Sequence, residues 1–134
     1  MHGEITTELH WLVLTILMTA LFWVPYMANR IFELGAWASL KTPRLEPKAQ
    51  WAERLMRAHA NATENLAIFA PLVLAIQLTG TNTSATATAC MVYFFARLVH
   101  AAAYVAAIPV LRTLGFTAGF FCQMTLASAL LKIF

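Results

Sequence analysis

Residues 85–108 read ATATACMVYFFARLVHAAAYVAAI, and in these 24 positions only Arg97 and His100 can carry a positive charge. As an α-helix the run would extend about 36 Å, enough to cross about 30 Å of hydrocarbon. Alternation of period two is absent, which excludes a half-buried strand. Three further runs have the same character: Leu9 to about Ala28, about Ala58 to Leu78, and Leu114 to Phe134.

Composition points the same way. The chain has 134 residues, 60% hydrophobic and 11% charged, and a mean hydropathy of +0.68. A soluble domain carries about 25% charged residues. So short a chain exposes a large share of its surface and would need more polar residues to face water. Disorder, a disulfide scaffold, a nucleic-acid module and a multidomain enzyme are therefore excluded. The reading is one all-α integral membrane domain over 1–134, a four-helix up-and-down bundle. Its helices are expected near 5–33, 51–79, 84–108 and 111–133.

The connections are short, so neighbouring helices should be antiparallel. Pro25 is expected to bend the first helix. Trp11, Trp23 and Tyr26 are placed as interfacial anchors. The lead-in Met1-His2-Gly3-Glu4 lacks a positive charge, which argues against a cleavable signal peptide. Pro43 and Pro47 argue for a loop between the first two spans. The stretch Trp51–Arg57 reads as amphipathic first turns projecting beyond the bilayer. Gly80 is a candidate C-cap, Thr83 or Ser84 an N-cap, and Pro109 marks the last turn.

Charge suggests an orientation. Arg30, Lys41, Arg44, Lys48, Arg54 and Arg57 make up six of the nine Lys and Arg residues. Arg112 lies in the third connection, and Lys132 is the exception. The positive-inside rule then puts loops one and three in the cytoplasm and both termini on the opposite side. Cys90 and Cys122 fit no zinc spacing and read as small core residues, so no metal is expected.

Polar groups inside spans are costly, about 2.5–3.5 kcal/mol for a charge at mid-helix on insertion scales. Arg57, Asn61 and Glu64 stand at i, i+4 and i+7 and share one face of the second helix, with His59 pointing away. Arg97, His100 and Tyr104 stand at i, i+3 and i+7 on the third. With the helices antiparallel, Glu64 and Arg97 are expected to pair as buried ions. Asn61, His100 and Tyr104 would ring a cavity beside them. Such groups can simply hold helices together, but six on two matching faces point to a site for a polar ligand. Gly115 and Gly119 form a GxxxG element for close packing, either within the bundle or between subunits. Phe120 and Phe121 are lipid- or core-facing, and His2 and His10 surface or interfacial.

The segments Arg57-Ala58-His59-Ala60-Asn61-Ala62-Thr63-Glu64-Asn65-Leu66, Ala96-Arg97-Leu98-Val99-His100-Ala101-Ala102-Ala103-Tyr104 and Pro109-Val110-Leu111-Arg112-Thr113 resemble the MAPEG family, the membrane-associated proteins of eicosanoid and glutathione metabolism. The resemblance is to its short bacterial branch and covers nearly the whole chain. It implies a homotrimer in a bacterial inner membrane, with glutathione as co-substrate bound between subunits and a hydrophobic small molecule reached from the lipids. Carried over by position from the prostaglandin synthase and microsomal glutathione transferase branches, Asn61 and Glu64 would hold the cofactor's amino end. Arg97, His100 and Tyr104 would line its pocket. Arg112 would stand by the sulfur as the catalytic residue, beside Thr113. Arg57 and Arg30 would form the rim. The chain departs from the prostaglandin synthase at Ala60, an arginine there, and at Phe116, a tyrosine there. It also contains no Asp.

The expected activity is a glutathione-dependent transferase or peroxidase on lipophilic electrophiles. Two alternatives stand beside it: a non-catalytic lipid-binding scaffold of the same fold, and a small transporter or proton relay built on the buried His, Glu and Arg. Arg112 also admits a plainer role as a positive-inside anchor.

Overall fold

A computed structural model describes residues 3–42 and 46–133. The expectations for His2, for a loop at Pro43 and for Arg44 lie outside the described residues. The elements are α1 (Thr7–Leu21), α2 (Trp23–Leu34), α3 (Ala36–Lys41), α4 (Gln50–Thr79), α5 (Ser84–Val105) and α6 (Pro109–Leu131). Four segments are long and apolar enough to cross a membrane: Thr7–Leu34, Gln50–Thr79, Ser84–Val105 and Pro109–Leu131. Their outer faces expose Leu17, Leu78, Leu114 and Phe121, as lipid contact requires.

Thr6 caps α1, its side chain accepting from the Leu9 N–H. The first span breaks between α1 and α2 at Phe22, three residues before Pro25. The cause is still Pro25: its ring crowds the carbonyl four residues back, and that residue is Leu21, the last of α1. Phe22 N–H turns to the Thr19 carbonyl at 3.3 Å instead. The described part of the polar segment after α2 includes a short helix, α3. Gly35 takes φ +81°, which a side chain resists, and so redirects the chain into the short α3.

Helix α4 has 30 residues, about 45 Å, and extends past the hydrocarbon. Its first residues have no side-chain cap of their own. Glu33 of α2 supplies one, accepting from the Lys48 and Ala49 N–H groups at 3.2 Å. A carboxylate there satisfies open donors and meets the positive end of the helix. At the far end Gly80 closes α4 at φ +65°, and Thr83 opens α5 through a reciprocal capping box with Thr86.

Helix α5 is the centre of the bundle and packs against α1, α4 and α6. Its inward face is Ala89, Cys90, Tyr93, Ala96, Arg97, His100, Ala101 and Ala103. Phe69 of α4 stacks on Tyr93 with centroids 3.7 Å apart and planes 11° from parallel. Cys90 and Cys122 are buried free thiols. Trp11 packs on Phe94 and Phe95, and Tyr26 bonds to His59 at 2.7 Å. Phe120 and Phe121 are exposed.

A carboxylate outside the sequence reading ties α1 to α5. Glu8 is buried and accepts from the Thr86 hydroxyl at 2.6 Å. It stands in the first turn of α1, where the helix dipole favours its charge. Near it Thr6 donates to Gln77 of α4 at 2.8 Å.

The backbones of α5 and α6 come close at Gly115. A Cβ on Gly115 would lie 2.9 Å from the Ala96 carbonyl oxygen and 3.0 Å from the His100 nitrogen. At Gly119 the nearest atoms are side chains of Arg97 and Tyr93 at 3.6 Å, an ordinary contact. The GxxxG element therefore serves the bundle interior, and only its first glycine is sterically required. Helix α5 ends at Val105 in a Schellman pattern: Ile108 N–H bonds to the Ala103 carbonyl at 2.9 Å and Ala107 N–H to Tyr104 at 3.2 Å. Ala107 takes the left-handed position at φ +58°, where glycine is usual.

Three substitutions test this packing. Gly115→Ala should destabilise by about 1–3 kcal/mol through overpacking, while Gly119→Ala stays close to wild type; thermal melts in one detergent compare them, and equal melts would contradict the assignment. Ala107→Gly should raise stability by about 1 kcal/mol by relieving left-handed strain, and a lowered melting temperature would refute it.

Candidate functional site

Helices α4, α5 and α6 bring a layer of polar side chains into the bundle. Arg97 is 2% exposed and His100 3%. Neither forms an ion pair with a carboxylate among the described residues. Arg97 donates through Nη2 to Asn61 Oδ1. The same oxygen accepts from Asn65 Nδ2 at 3.3 Å, and Asn65 Nδ2 also reaches the Asn61 carbonyl at 2.9 Å. From α6, buried Gln123 donates to the Asn65 carbonyl at 3.2 Å and approaches the Tyr93 hydroxyl at 3.5 Å. A continuous amide chain therefore runs from α6 through α4 to the guanidinium of α5.

The expected Glu64–Arg97 ion pair does not form among the described residues. Glu64 is exposed. The buried stripe of α4 runs through Ala58, Ala62, Phe69 and Val73. At 100° per residue Glu64 falls about 160° from Ala62, on the far side of the helix. Asn61 falls at about 100°, at the edge of the packed face, and takes the guanidinium instead.

Among the described residues, two buried atoms stand without partners: Arg97 Nε and His100 Nδ1. Leaving such a group unpaired costs about 1–3 kcal/mol. They stand one helical turn apart on one face of α5, a pattern that suits a ligand offering acceptors and donors. The His100 ring lies 5.7 Å from Tyr104 and 6.2 Å from Phe116.

Arg112 stands in the first turn of α6, which Pro109 opens. Its guanidinium covers the Tyr104 ring at 4.8 Å, a cation–π contact that fixes the cation while leaving its donor edge available. Arg54 of α4 closes the same end, donating through Nε to the Val105 carbonyl at 2.8 Å and so satisfying the C-terminus of α5. Thr113 is exposed, and its hydroxyl turns back to the Pro109 carbonyl at 2.9 Å.

The remaining candidates lie across α4. Arg30 and Arg57 border a separate cavity between α2 and α4, together with Ala60. Arg30 donates to the Thr42 carbonyl. Arg57 pairs with Glu53 at 2.7 Å, and at 65% exposed that pair contributes little stability. The structure thus gathers Asn61, Arg97, His100, Tyr104 and Arg112 toward α5 and α6. It sets Arg30 and Arg57 apart and turns Glu64 and Thr113 outward.

Sequence reasoning missed Asn65, Gln123 and Tyr93. The signal for Gln123 was present: an amide in mid-span, in line with Gly115, Gly119 and Leu126 at helical spacing. Asn65 stood inside the quoted motif, one turn beyond Asn61.

The sequence pattern of the MAPEG family matches residues 9–132, which takes in all four spans. Comparison with curated proteins and with solved structures gave no match. A bundle of four membrane-crossing helices with a buried arginine–amide layer is thus combined with a family pattern running almost end to end, and the chain is an integral membrane protein belonging to the MAPEG family.

Proposed function

We propose that this protein is a glutathione-dependent transferase or peroxidase acting on lipophilic electrophiles. The observation that carries the reading is the pair of buried, unpartnered polar atoms, Arg97 Nε and His100 Nδ1, in a chain whose family generally uses glutathione. Glutathione is a zwitterionic peptide with two carboxylates, an amine and amide groups. Arg97 would meet an anionic group, His100 a polar edge, and Asn61 and Asn65 would hold the guanidinium in place for that contact.

Glutathione supplies the nucleophilic sulfur. The chain's task is to favour its ionised form. A thiol with a pKa of about 8.5 is mostly protonated at neutral pH. Lowering that value by two units needs about 2.7 kcal/mol of preferential stabilisation. Arg112 suits this role: it stands at the positive end of α6, stacked on Tyr104 so that its charge has a fixed position. Tyr104 acts as the platform, and Thr113 flanks the same turn.

The active assembly in this reading is a homotrimer in a bacterial inner membrane, with loops one and three cytoplasmic and both termini on the other side. Glu64 turns away from its own bundle. A neighbouring subunit on that face would give it a partner and let it join Arg30 and Arg57 around the co-substrate. Polar co-substrate would enter from water and apolar substrate from lipid.

Stopped-flow ultraviolet detection of thiolate on purified protein tests the proposal. Wild type should develop thiolate absorbance on mixing with glutathione. Arg112→Ala should fold and lose roughly 100-fold in the thiolate-to-thiol ratio; unchanged absorbance would remove Arg112 from its role, and none in wild type would favour a scaffold. Asn61→Leu deprives Arg97 of its acceptor and should weaken glutathione binding roughly ten- to hundredfold by calorimetry. Wild-type affinity there would place the co-substrate elsewhere.

A further inference from the structure

The short helix α3 turns an apolar face outward. Trp37, Leu40 and Lys41 stand at i, i+3 and i+4 and so share one side of it. Trp37 is 69% exposed and Leu40 80%, and Phe32, in the last turn of α2, is 89% exposed. The opposite side is held against α2. Ser39 falls about 160° from Trp37, and its hydroxyl stands 3.3 Å from the Arg30 carbonyl. Arg30 in turn donates to the Thr42 carbonyl at the end of α3. These two ties fix which side of α3 looks away from the bundle.

The depth of this face follows from its neighbours. Helix α4 has 30 residues, about 45 Å, which matches the 40–45 Å or so of a bilayer with both headgroup regions. Its start therefore stands at headgroup level. Glu33 accepts from the Lys48 and Ala49 N–H groups at 3.2 Å, which sets the end of α2 at the same level. Gly35 then bends the chain directly into α3. Along the first span Val13, Leu17, Leu21, Val24 and Ile31 are exposed, a face that lipid covers. Phe32, Trp37 and Leu40 continue that apolar surface into the headgroup layer, where an amphipathic indole is at home.

Lys41 gives the face its sign. Its Nζ stands over the Trp37 ring, 5.2 Å from the centroid, and it forms no ion pair among the described residues. The carboxylates of this segment are placed elsewhere. Glu33 is committed to the start of α4, and Glu46 lines the cavity between α2 and α4. No residue of α3 lines that cavity. The outward side of α3 is thus an indole, an aliphatic chain and an unneutralised ammonium with three donors, at the depth of lipid phosphates. A phosphatidylcholine brings a quaternary ammonium that Lys41 repels, and Lys41 already occupies the Trp37 ring that could have received it. An anionic phospholipid brings the phosphate without the opposing charge.

We propose that α3 is an in-plane anchor whose Trp37–Leu40–Lys41 face binds an anionic phospholipid of the surrounding bilayer. Phe32 and Leu40 lie against the upper acyl chain, the Trp37 ring stands at the glycerol level, and Lys41 Nζ meets the phosphate. The inference does not depend on glutathione chemistry.

The test is tryptophan quenching on the purified protein in nanodiscs of mixed phosphatidylcholine and phosphatidylglycerol. The Trp37 signal is the difference between wild type and Trp37→Phe. Lipids brominated high on the acyl chain should quench that signal, while aqueous iodide leaves it nearly unchanged. At equal mole fraction, brominated phosphatidylglycerol should show a relative binding constant about fivefold above that of brominated phosphatidylcholine, the preference expected of one cation at an anionic surface. Lys41→Gln should bring the ratio to about one, and Lys41→Arg should keep it. Quenching by iodide without quenching by brominated lipid would put the face in water. Silence toward both would put a protein surface, such as a second copy of this chain, over it. Either result overturns the proposal, as does equal quenching by the two lipids in wild type or an undiminished preference in Lys41→Gln.

Discussion

A guanidinium buried in a membrane-spanning bundle has to be met by acceptors, because neither water nor lipid can supply them at that depth. Arg97 imposes this constraint. Its carrier, α5, must be surrounded, and the helices around it must present acceptors at the right level. Asn61 does so directly, while Asn65 and Gln123 extend the chain of amides to α6. Side-chain hydrogen bonds in membranes are individually modest, about 0.6 kcal/mol on average in one well-studied bundle. Their effect here is to fix register among three helices.

That register relies on backbone proximity. Gly115 lets α6 come within contact of the α5 backbone at Ala96 and His100. The small residues on the inward faces, Ala58 and Ala62 on α4 and Ala96 and Ala101 on α5, keep the polar side chains the largest groups in this layer. Toward the opposite end the interior turns apolar around Phe69, Val73, Ile76 and Leu126, with Glu8 and Thr86 as a second polar tie. The bundle is thus graded, polar near the α5–α6 turn and mostly apolar beyond it.

The two faces of α4 serve different chemistry. One contributes Asn61 and Asn65 to the arginine layer. The other, with Met56, Arg57 and Ala60, walls the cavity against α2. The tie of Glu33 to the start of α4 holds that wall in position, and Arg54 does the same for the end of α5. Arg57 and Asn61 lie only about 40° apart around α4, so the cavity and the arginine layer border one another along one edge of that helix.

The sequence by itself determined the four spans, the cap at Gly80, an N-cap at Thr83 or Ser84, and the inward placement of Arg97 and His100. Hydropathy over about 20 residues and the cost of burying charge act locally, so both are written in the chain. Only the tertiary structure decided who meets whom. The helical phase of Glu64 relative to Asn61, the crossing of α6 over α5 at Gly115, and the rotation that brings Tyr26 to His59 depend on how helices sit against one another. A difference of 60° in phase is invisible in a motif read three or four residues at a time. It separated an expected ion pair from the arginine–asparagine contact that formed.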